Sequence, residues 1–502
     1  MNAEITFNQT DADASTDTEA NKFGIYEITI DDIALTHSPQ EIHIMTDVSG
    51  SMDEPCIDNN TKLDQIKHVI KNMIRFIANN STDITLRVSA FNMGVRTIIA
   101  DEIVSSKNLD SMIRRVDQMV AEDQTNIEDA LLSLRNSNIV SNRHNIFMSA
   151  GDANEGETDA LKLARLVDTN AANTFIGFGL EHNPYMFTTL ANTRNSAYYF
   201  IDQLEKSGIA YGEILHGILY RAYNNVSIVV ENGEVYDWKT DTWKPEVYIG
   251  GIATDTKKSY HIRSAVELAS VRVRLMCEQN VICDTGFGEK YADLTQMLYR
   301  QKTLEILYKA SNMSKIYRMD MDLLRGHPTK TYNDAIRELK VEMKKLIAEM
   351  TEYMNTLDDK KLMKNLCDDI VVVYRTIGTK YGHMYSCSRQ CSQGNERIHT
   401  TSNTPKQELY HTVFSAPRRY THTQYDFDND EFMPNGLNLD LDIIGATCDN
   451  GAFGSNGISV YGADGADNLD NYVVSGEADT PHYSKNKMAL ITSISETDDD
   501  VM

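Results

Sequence analysis

Three short stretches of the chain carry residues able to do chemistry together. In IMTDVSGSMDEP, residues 44–55, an apolar run ends without warning in Asp47, Ser49 and Ser51 on alternate positions. Hydroxyls so spaced in a tight loop can point to one side and offer neutral oxygens, while the carboxylate supplies charge. A hard divalent cation such as Mg2+ takes about six oxygens at roughly 2.1 Å, so one such loop is half a site. The rest should come from neighbouring strand ends. EDQTNIEDALLSL places Thr125 immediately before a helical pattern, with Asn126 and Glu128 in its first turn, and GDANEG places Asp152 just after the apolar run NIFMSA.

These stretches sit on a regular alternation. EIHIMTD, ITLRVSAF, NIFMSA and NTFIGFG have the length and composition of strands buried on both faces. Between them lie helical patterns. The clearest is TKLDQIKHVIKNMIRFIANN, with Leu63, Ile66, Val69, Ile70, Met73, Ile74 and Ile77 on one stripe; NLDSMIRRVDQM, NIEDALLSLRN and ETDALKLARLVDTN are the others. The expectation is an α/β fold over residues 41–222, a doubly wound, mainly parallel sheet covered on both sides. Ligands of such folds gather at the carboxyl ends of the strands, where Asp47 stands.

The period then changes. Residues 223–285 alternate in twos, and Asn232-Gly233 predicts a hairpin, so a β-sandwich is expected there. IYEITIDDIAL also alternates, which makes residues 22–36 a candidate strand of the same sandwich, with the α/β unit inserted between its strands. From 286 to 380 the period returns to 3.6. Ile336, Leu339, Met343, Leu346, Ile347, Met350, Met354 and Leu357 form one apolar face, Leu294 to Tyr308 another helix, and Gly378 a stop after LMKNLCDDIVVVYRTIG. A helical bundle is expected. Residues 1–21 carry five acidic and no basic side chains, and residues 421–502 carry 16 acidic and two basic. Both ends, 1–21 and 381–502, read as disordered and acidic, with islands such as YDFDNDEFMPNGLNLDLDII of the kind that bind partners.

D-x-S-x-S after a strand, T-N-I before a helix and G-D-A-N at a third strand end together resemble the von Willebrand factor type A domain with its metal-ion-dependent adhesion site, over about residues 41–222. The resemblance implies Ser49, Ser51 and Thr125 as direct ligands, with Asp47 as first aspartate acting directly or through water. It implies Mg2+, or Mn2+ or Ca2+, as the ion and Asp152 as a further candidate ligand. One position departs. The family reads Thr-Asp-Gly where this chain reads Ser149-Ala150-Gly151, so Ala150 replaces the second aspartate. A charge about 4 Å away is worth roughly 4 kcal/mol at an effective dielectric near 20, before solvation losses, so the ion is held more weakly. With few anionic ligands it keeps an open position for a partner's Asp or Glu, which implies a non-enzymatic protein-binding module. The wider layout resembles intracellular proteins of bacteria, plants and some large DNA viruses, with virion association expected for a viral member.

Composition narrows the alternatives. A net charge of −25 argues against nucleic acid as a partner, which calls for a basic surface. No run of about 18 apolar residues predicts membrane insertion. Seven scattered cysteines do not form a disulfide framework and point to a reducing, intracellular compartment; Cys387 and Cys391 have no second pair at zinc-knuckle distance. No nucleophile motif and no phosphate-binding loop is present, and an acid/base pair of Asp47 with Asp152 suits the surrounding hydroxyls less well than a cation does. The alternative to an adhesion module is a non-catalytic adaptor subunit of an ATP-driven chelatase or remodelling complex.

Overall fold

The computed structural model describes residues 1–9, 21–31, 40–55, 60–80, 83–136, 142–179, 182–201, 207–323, 330–379 and 381–397. Two strands, β1 (Asn2–Asn8) and β2 (Lys22–Ile30), precede the α/β segment. That segment runs β3 (Gln40–Asp47), α1 (Lys62–Asn80), β4 (Ile84–Phe91), β5 (Val95–Ile103), α2 (Leu109–Asp117), α3 (Ile127–Asn136) and β6 (Arg143–Ser149). It continues through α4 (Ala160–Ala164), β7 (Ala172–Phe178), α5 (Pro184–Ala191), β8 (Ser196–Ile201) and α6 (Ser207–Leu219). The six strands lie in the order β5-β4-β3-β6-β7-β8, all parallel except the edge strand β5.

The pleat of β3 sorts its side chains between two cores. Ile42 and Ile44 face one, which also holds the whole predicted stripe of α1 together with Met112 and Leu215. Met45 faces the other, where Phe91, Phe147, Phe175 and Phe187 meet α3 and α5. Within β3 the buried His43 Nε2 is hydrogen-bonded to Ser89 Oγ at 2.9 Å, and Asp47 falls at the carboxyl end of the strand. The strand order reverses between β3 and β6, so the crevice above those two carboxyl ends is the fold's natural site.

The remaining strands are β9 (Arg221–Glu231), β10 (Glu234–Asp237), β11 (Thr242–Lys244), β12 (Glu246–Ala253), β13 (Thr256–Ser264), β14 (Arg272–Cys277), β15 (Asn280–Gly286) and β16 (Tyr291–Ala292). They form two sheets, β11-β10-β13-β2-β1-β16 and β12-β9-β14-β15. Ile5, Tyr26 and Ile28 of the first share one core with Val226, Ile228 and Leu275 of the second. β2 pairs with β13 from Lys22–Ser264 to Ile30–Thr256, so the α/β segment is inserted between two paired strands.

Three expectations are corrected. Residues 2–8 are not disordered but form β1, paired with β2, because Ile5 and Phe7 alternate into the core; most acidic residues of 1–21 fall at 10–20, outside the described residues. Asn232-Gly233 does turn the chain, with Asn232 at φ 60°, yet β9 and β10 join different sheets rather than pairing as a hairpin. The helical region does not stop at 380. It comprises α7 (Thr295–Leu323), α8 (Lys330–Met354), α9 (Lys361–Thr376) and α10 (Gly382–Asn395), the last within the expected tail.

GHMYSCSRQCSQGN reads as polar, but α10 is buried through polar partners. Arg389 Nη1 donates to Asp369 Oδ1 at 3.2 Å and Gln393 Nε2 donates to Asp369 Oδ2 at 2.6 Å, both in the interior. Gly378, at φ +86°, ends α9 as its sequence position suggests. The helices continue the core on the α5 side of the parallel sheet. The tail from residue 398 onward, with its acidic islands, lies outside the described residues. The five described cysteines are free, and no helix among the described residues is long and apolar enough to cross a membrane.

Candidate metal centre

The loop that leaves β3 is pinned before any ligand enters it. Val48 N–H continues the ladder to Phe91 O at 2.9 Å. Ser49 N–H donates to Asp47 Oδ1 at 2.8 Å, which turns the chain sharply out of the sheet. A 3₁₀ turn, Gly50–Asp53, follows, closed by Met52 N–H on Ser49 O at 2.9 Å. Ser49 Oγ and Ser51 Oγ then lie 3.2 Å apart, so the alternate hydroxyls do face the same way. The neighbouring loop is stitched to this one: Gly50 N–H donates to Asp123 O at 2.9 Å and Glu122 N–H to Val48 O at 2.8 Å.

Thr125 is fixed from two sides. Its N–H donates to Asn154 Oδ1 at 2.7 Å, while Asn154 N–H and Glu155 N–H donate to its carbonyl at 3.1 and 3.2 Å. Asn126 caps α3 by accepting from Asp129 N–H at 3.1 Å. The GDANEG loop after β6 thus clamps the residue that precedes α3. β6 contributes a further contact, since Ser149 Oγ donates to Asp47 Oδ2 at 2.5 Å. Asp47 is fully buried, Ser49 and Thr125 nearly so at 1% and 2% exposed.

The three loops converge in front of Gly151. A methyl group placed on its Cα would lie 3.2 Å from Ser51 Oγ, 3.5 Å from Thr125 Oγ1 and 3.9 Å from Asp47 Oδ2. Oxygens from two separate turns therefore face one small space in front of the third, and the missing side chain of Gly151 keeps it open. One carboxylate with neutral hydroxyls is a donor set suited to a hard cation. The residues present fit such an ion without a carboxylate cage; among the described residues no group of three or more His, Cys, Asp or Glu side chains is placed to hold a metal. Of the five predicted ligands, the structure ties Asp47, Ser49, Ser51 and Thr125 into one cluster. Asp152 is on the exposed surface of the loop after β6, and Ala150 is fully buried in the α1-side core.

Burial raises the Asp47 carboxyl above its ordinary range, and the bonds from Ser149 and Ser49 together with the charge of Lys62 oppose that rise. A cation in front of Gly151 acts in the same sense as Lys62, favouring the carboxylate. Lys62 is itself only 7% exposed and pairs with Glu54 Oε2 at 2.5 Å. Sequence reasoning did not single out Lys62, Ser149 or Gly151. Ser149 and Gly151 had a signal, because they flank Ala150 in the departing motif; Lys62 at the start of α1 had none beyond its place in the loop's shadow.

No family model and no curated relative matches the chain. Among solved structures it is similar to a von Willebrand factor type A protein from Catenulispora acidiphila, with 14% identity, covering 74% of this chain and 87% of that one at a TM-score of 0.42. It is also similar to the ArnB paralog VWA2 of Sulfolobus acidocaldarius, with 12% identity, 79% and 97% coverage and a TM-score of 0.44. A third is proximal thread matrix protein 1 of the mussel byssus, solved with a zinc-occupied adhesion motif, with 16% identity, 38% and 47% coverage and a TM-score of 0.31. All three scores lie under 0.5. On its own strand order the α/β segment is a doubly wound, mainly parallel fold with one antiparallel edge strand and Asp47 at the carboxyl end of a central strand.

Proposed function

We propose that the α/β segment is a non-enzymatic adhesion module that captures an Asp or Glu side chain of a protein partner through a divalent cation, Mg2+ in the first place. The observation that carries this reading is the convergence of Ser51, Thr125 and Asp47 oxygens in front of Gly151. Asp47, Ser51 and Thr125 would hold the ion, with Ser49 beside Ser51 completing the hydroxyl face. Bound there, the ion supplies Lewis acidity and a coordination position for a carboxylate from outside.

The chain's own residues favour capture over hydrolysis. Both oxygens of Asp47 accept a hydrogen bond, one from Ser49 N–H and the other from the Ser149 hydroxyl, which fixes the carboxylate as a ligand with a lone pair left on each oxygen. A single carboxylate leaves the site net positive when loaded, which draws an anionic group.

The test is capture of an acidic-peptide library by the immobilised full chain in Mg2+ and in chelator. Retention of Asp- or Glu-bearing peptides in Mg2+, released by chelator and absent in Thr125→Val, supports the reading; equal retention in chelator contradicts it. If partner binding instead requires ATP and a co-purifying ATPase, the adaptor reading replaces it.

A further inference from the structure

The rim of the Gly151 cradle carries charge that the adhesion reading leaves unused. Within the cradle Thr125 is 2% exposed, and its Oγ1, 3.5 Å from the place of a methyl on Gly151, has no hydrogen-bond partner among the described residues. A buried hydroxyl in that state calls for a ligand. What else the ligand must carry is set by the surrounding loops.

Three carboxylates belong to those loops and are tied to the cradle through the backbone. Asp53 ends the 3₁₀ turn that holds Ser51. The Asp123 carbonyl accepts from Gly50 N–H at 2.9 Å, and Glu155 N–H donates to the Thr125 carbonyl at 3.2 Å. All three residues are exposed, as is Asp152 between Gly151 and Glu155. Other carboxylates of the same loops are neutralised: Glu54 by Lys62 at 2.5 Å, Glu122 by Arg96 at 3.7 Å and Glu157 by Lys162 at 2.9 Å. Asp53, Asp123 and Glu155 have no cation within ion-pair distance among the described residues. Charges act over about 8 Å at physiological salt, so whatever reaches the ion brings its neighbours into a negative field. An acid among acids is repelled there, whereas an acid among bases is drawn by the ion at its centre and by the rim at its sides. The chain's own residues 421–502, with 16 acidic and two basic side chains, are disfavoured on the same ground.

We propose that the site takes a partner's Asp or Glu flanked by Lys or Arg, with Asp53, Asp123 and Glu155 selecting the flanking bases; this rests on the adhesion reading. Fluorescence anisotropy with the full chain in saturating Mg2+ tests it. The probes are short labelled peptides, acetylated and amidated, with one central Asp flanked on both sides by Lys, by Ser or by Glu, and a peptide of residues 425–444 of the chain itself. The expected order is Lys, then Ser, then Glu, with the Lys-flanked peptide about tenfold or more tighter than the Glu-flanked one at low ionic strength and the gap narrowing in high salt. Residues 425–444 should bind no better than the Glu-flanked peptide. Asp123→Asn combined with Glu155→Gln should cut the preference about threefold or more, each exposed pair contributing little and the set together deciding. Chelator-released binding with no preference among the flanks, or a preference unchanged in the double variant, overturns the proposal and leaves the adhesion reading standing. Lys-flanked binding that persists in chelator and in Thr125→Val overturns it as unspecific attraction to an acidic chain. If chelator releases no peptide at all, both fall.

Discussion

Gly151 owes its role to having no side chain. An alanine there puts a methyl 3.2 Å from Ser51 Oγ and 3.5 Å from Thr125 Oγ1, in the space the ion needs, and the Gly151 backbone does not lie in the left-handed region. Gly151→Ala should therefore abolish Mg2+ and Mn2+ binding while changing stability by no more than about 1 kcal/mol, read by calorimetry alongside urea unfolding. Ala150 is the complementary case. Ala150→Asp returns a second carboxylate to the rim, and it should tighten divalent-ion binding at least tenfold. The same variant should melt lower than the native chain in chelator, since a carboxyl buried at that position is desolvated, and recover in Mg2+. Unchanged affinity in Ala150→Asp would show that this position does not reach the ion. At this scale Asp47, Ser49, Ser51 and Thr125 were legible because a polar triplet interrupting a buried strand, and a threonine before a helix, have few structural uses. Asp152, named from the third strand end by the same logic, is exposed on the loop after β6.

The site holds its shape because elements far apart in sequence share loops. Asn154, from the turn after β6, accepts from the N–H of buried Thr125 before α3 at 2.7 Å. Asn154→Ala leaves that N–H unpartnered and should cost about 1–3 kcal/mol in urea unfolding, with a weaker divalent-ion affinity than native. A variant that loses neither would show that the clamp is not needed. The strands that position Asp47 were legible as short Ile/Val/Phe runs buried on both faces. β5 (VRTIIADEI) was not, because this edge strand exposes polar residues and its run is interrupted; β8 (SAYYFI), though largely buried, was not singled out either. α10 was missed because its buried face mixes Met384, Tyr385 and Cys387 with polar Arg389 and Gln393, which are satisfied by Asp369. The Asn-Gly turn between β9 and β10 was read correctly as a turn and wrongly as a hairpin, since local sequence does not say which sheet the next strand joins.

For the whole molecule, three interior histidines couple stability to pH. Burial lowers His43 to about 3 and His261 to about 4, and holds His144 well below its usual range. In each case the unfolded chain, with a histidine near 6.5, takes up a proton that the folded chain refuses. Their contribution is present in full above about pH 6.5 and is lost as pH falls toward the folded values, by up to about 1.4 kcal/mol per pH unit for each group. Urea midpoints measured from pH 7.5 to 4.5 should fall accordingly, and His43→Gln should shallow the slope by the share of one proton. An identical slope in that variant would place the acid sensitivity elsewhere. The insertion of the α/β segment between β2 and β13 was suggested by alternation on both sides of it, whereas the packing of the helices against the α5 side of the sheet had no sequence signal, because an amphipathic stripe names no partner.

The account turns on whether oxygens from the loop after β3 and the loop before α3 hold one hard ion. Titration of Mg2+ and Mn2+ into the full chain by calorimetry, compared with Ser51→Ala and Thr125→Val, tests this most directly. One saturable site in the native chain, weakened at least tenfold in each variant, is the predicted result. No saturable heat in the native chain, or the same binding curve in all three proteins, would contradict it.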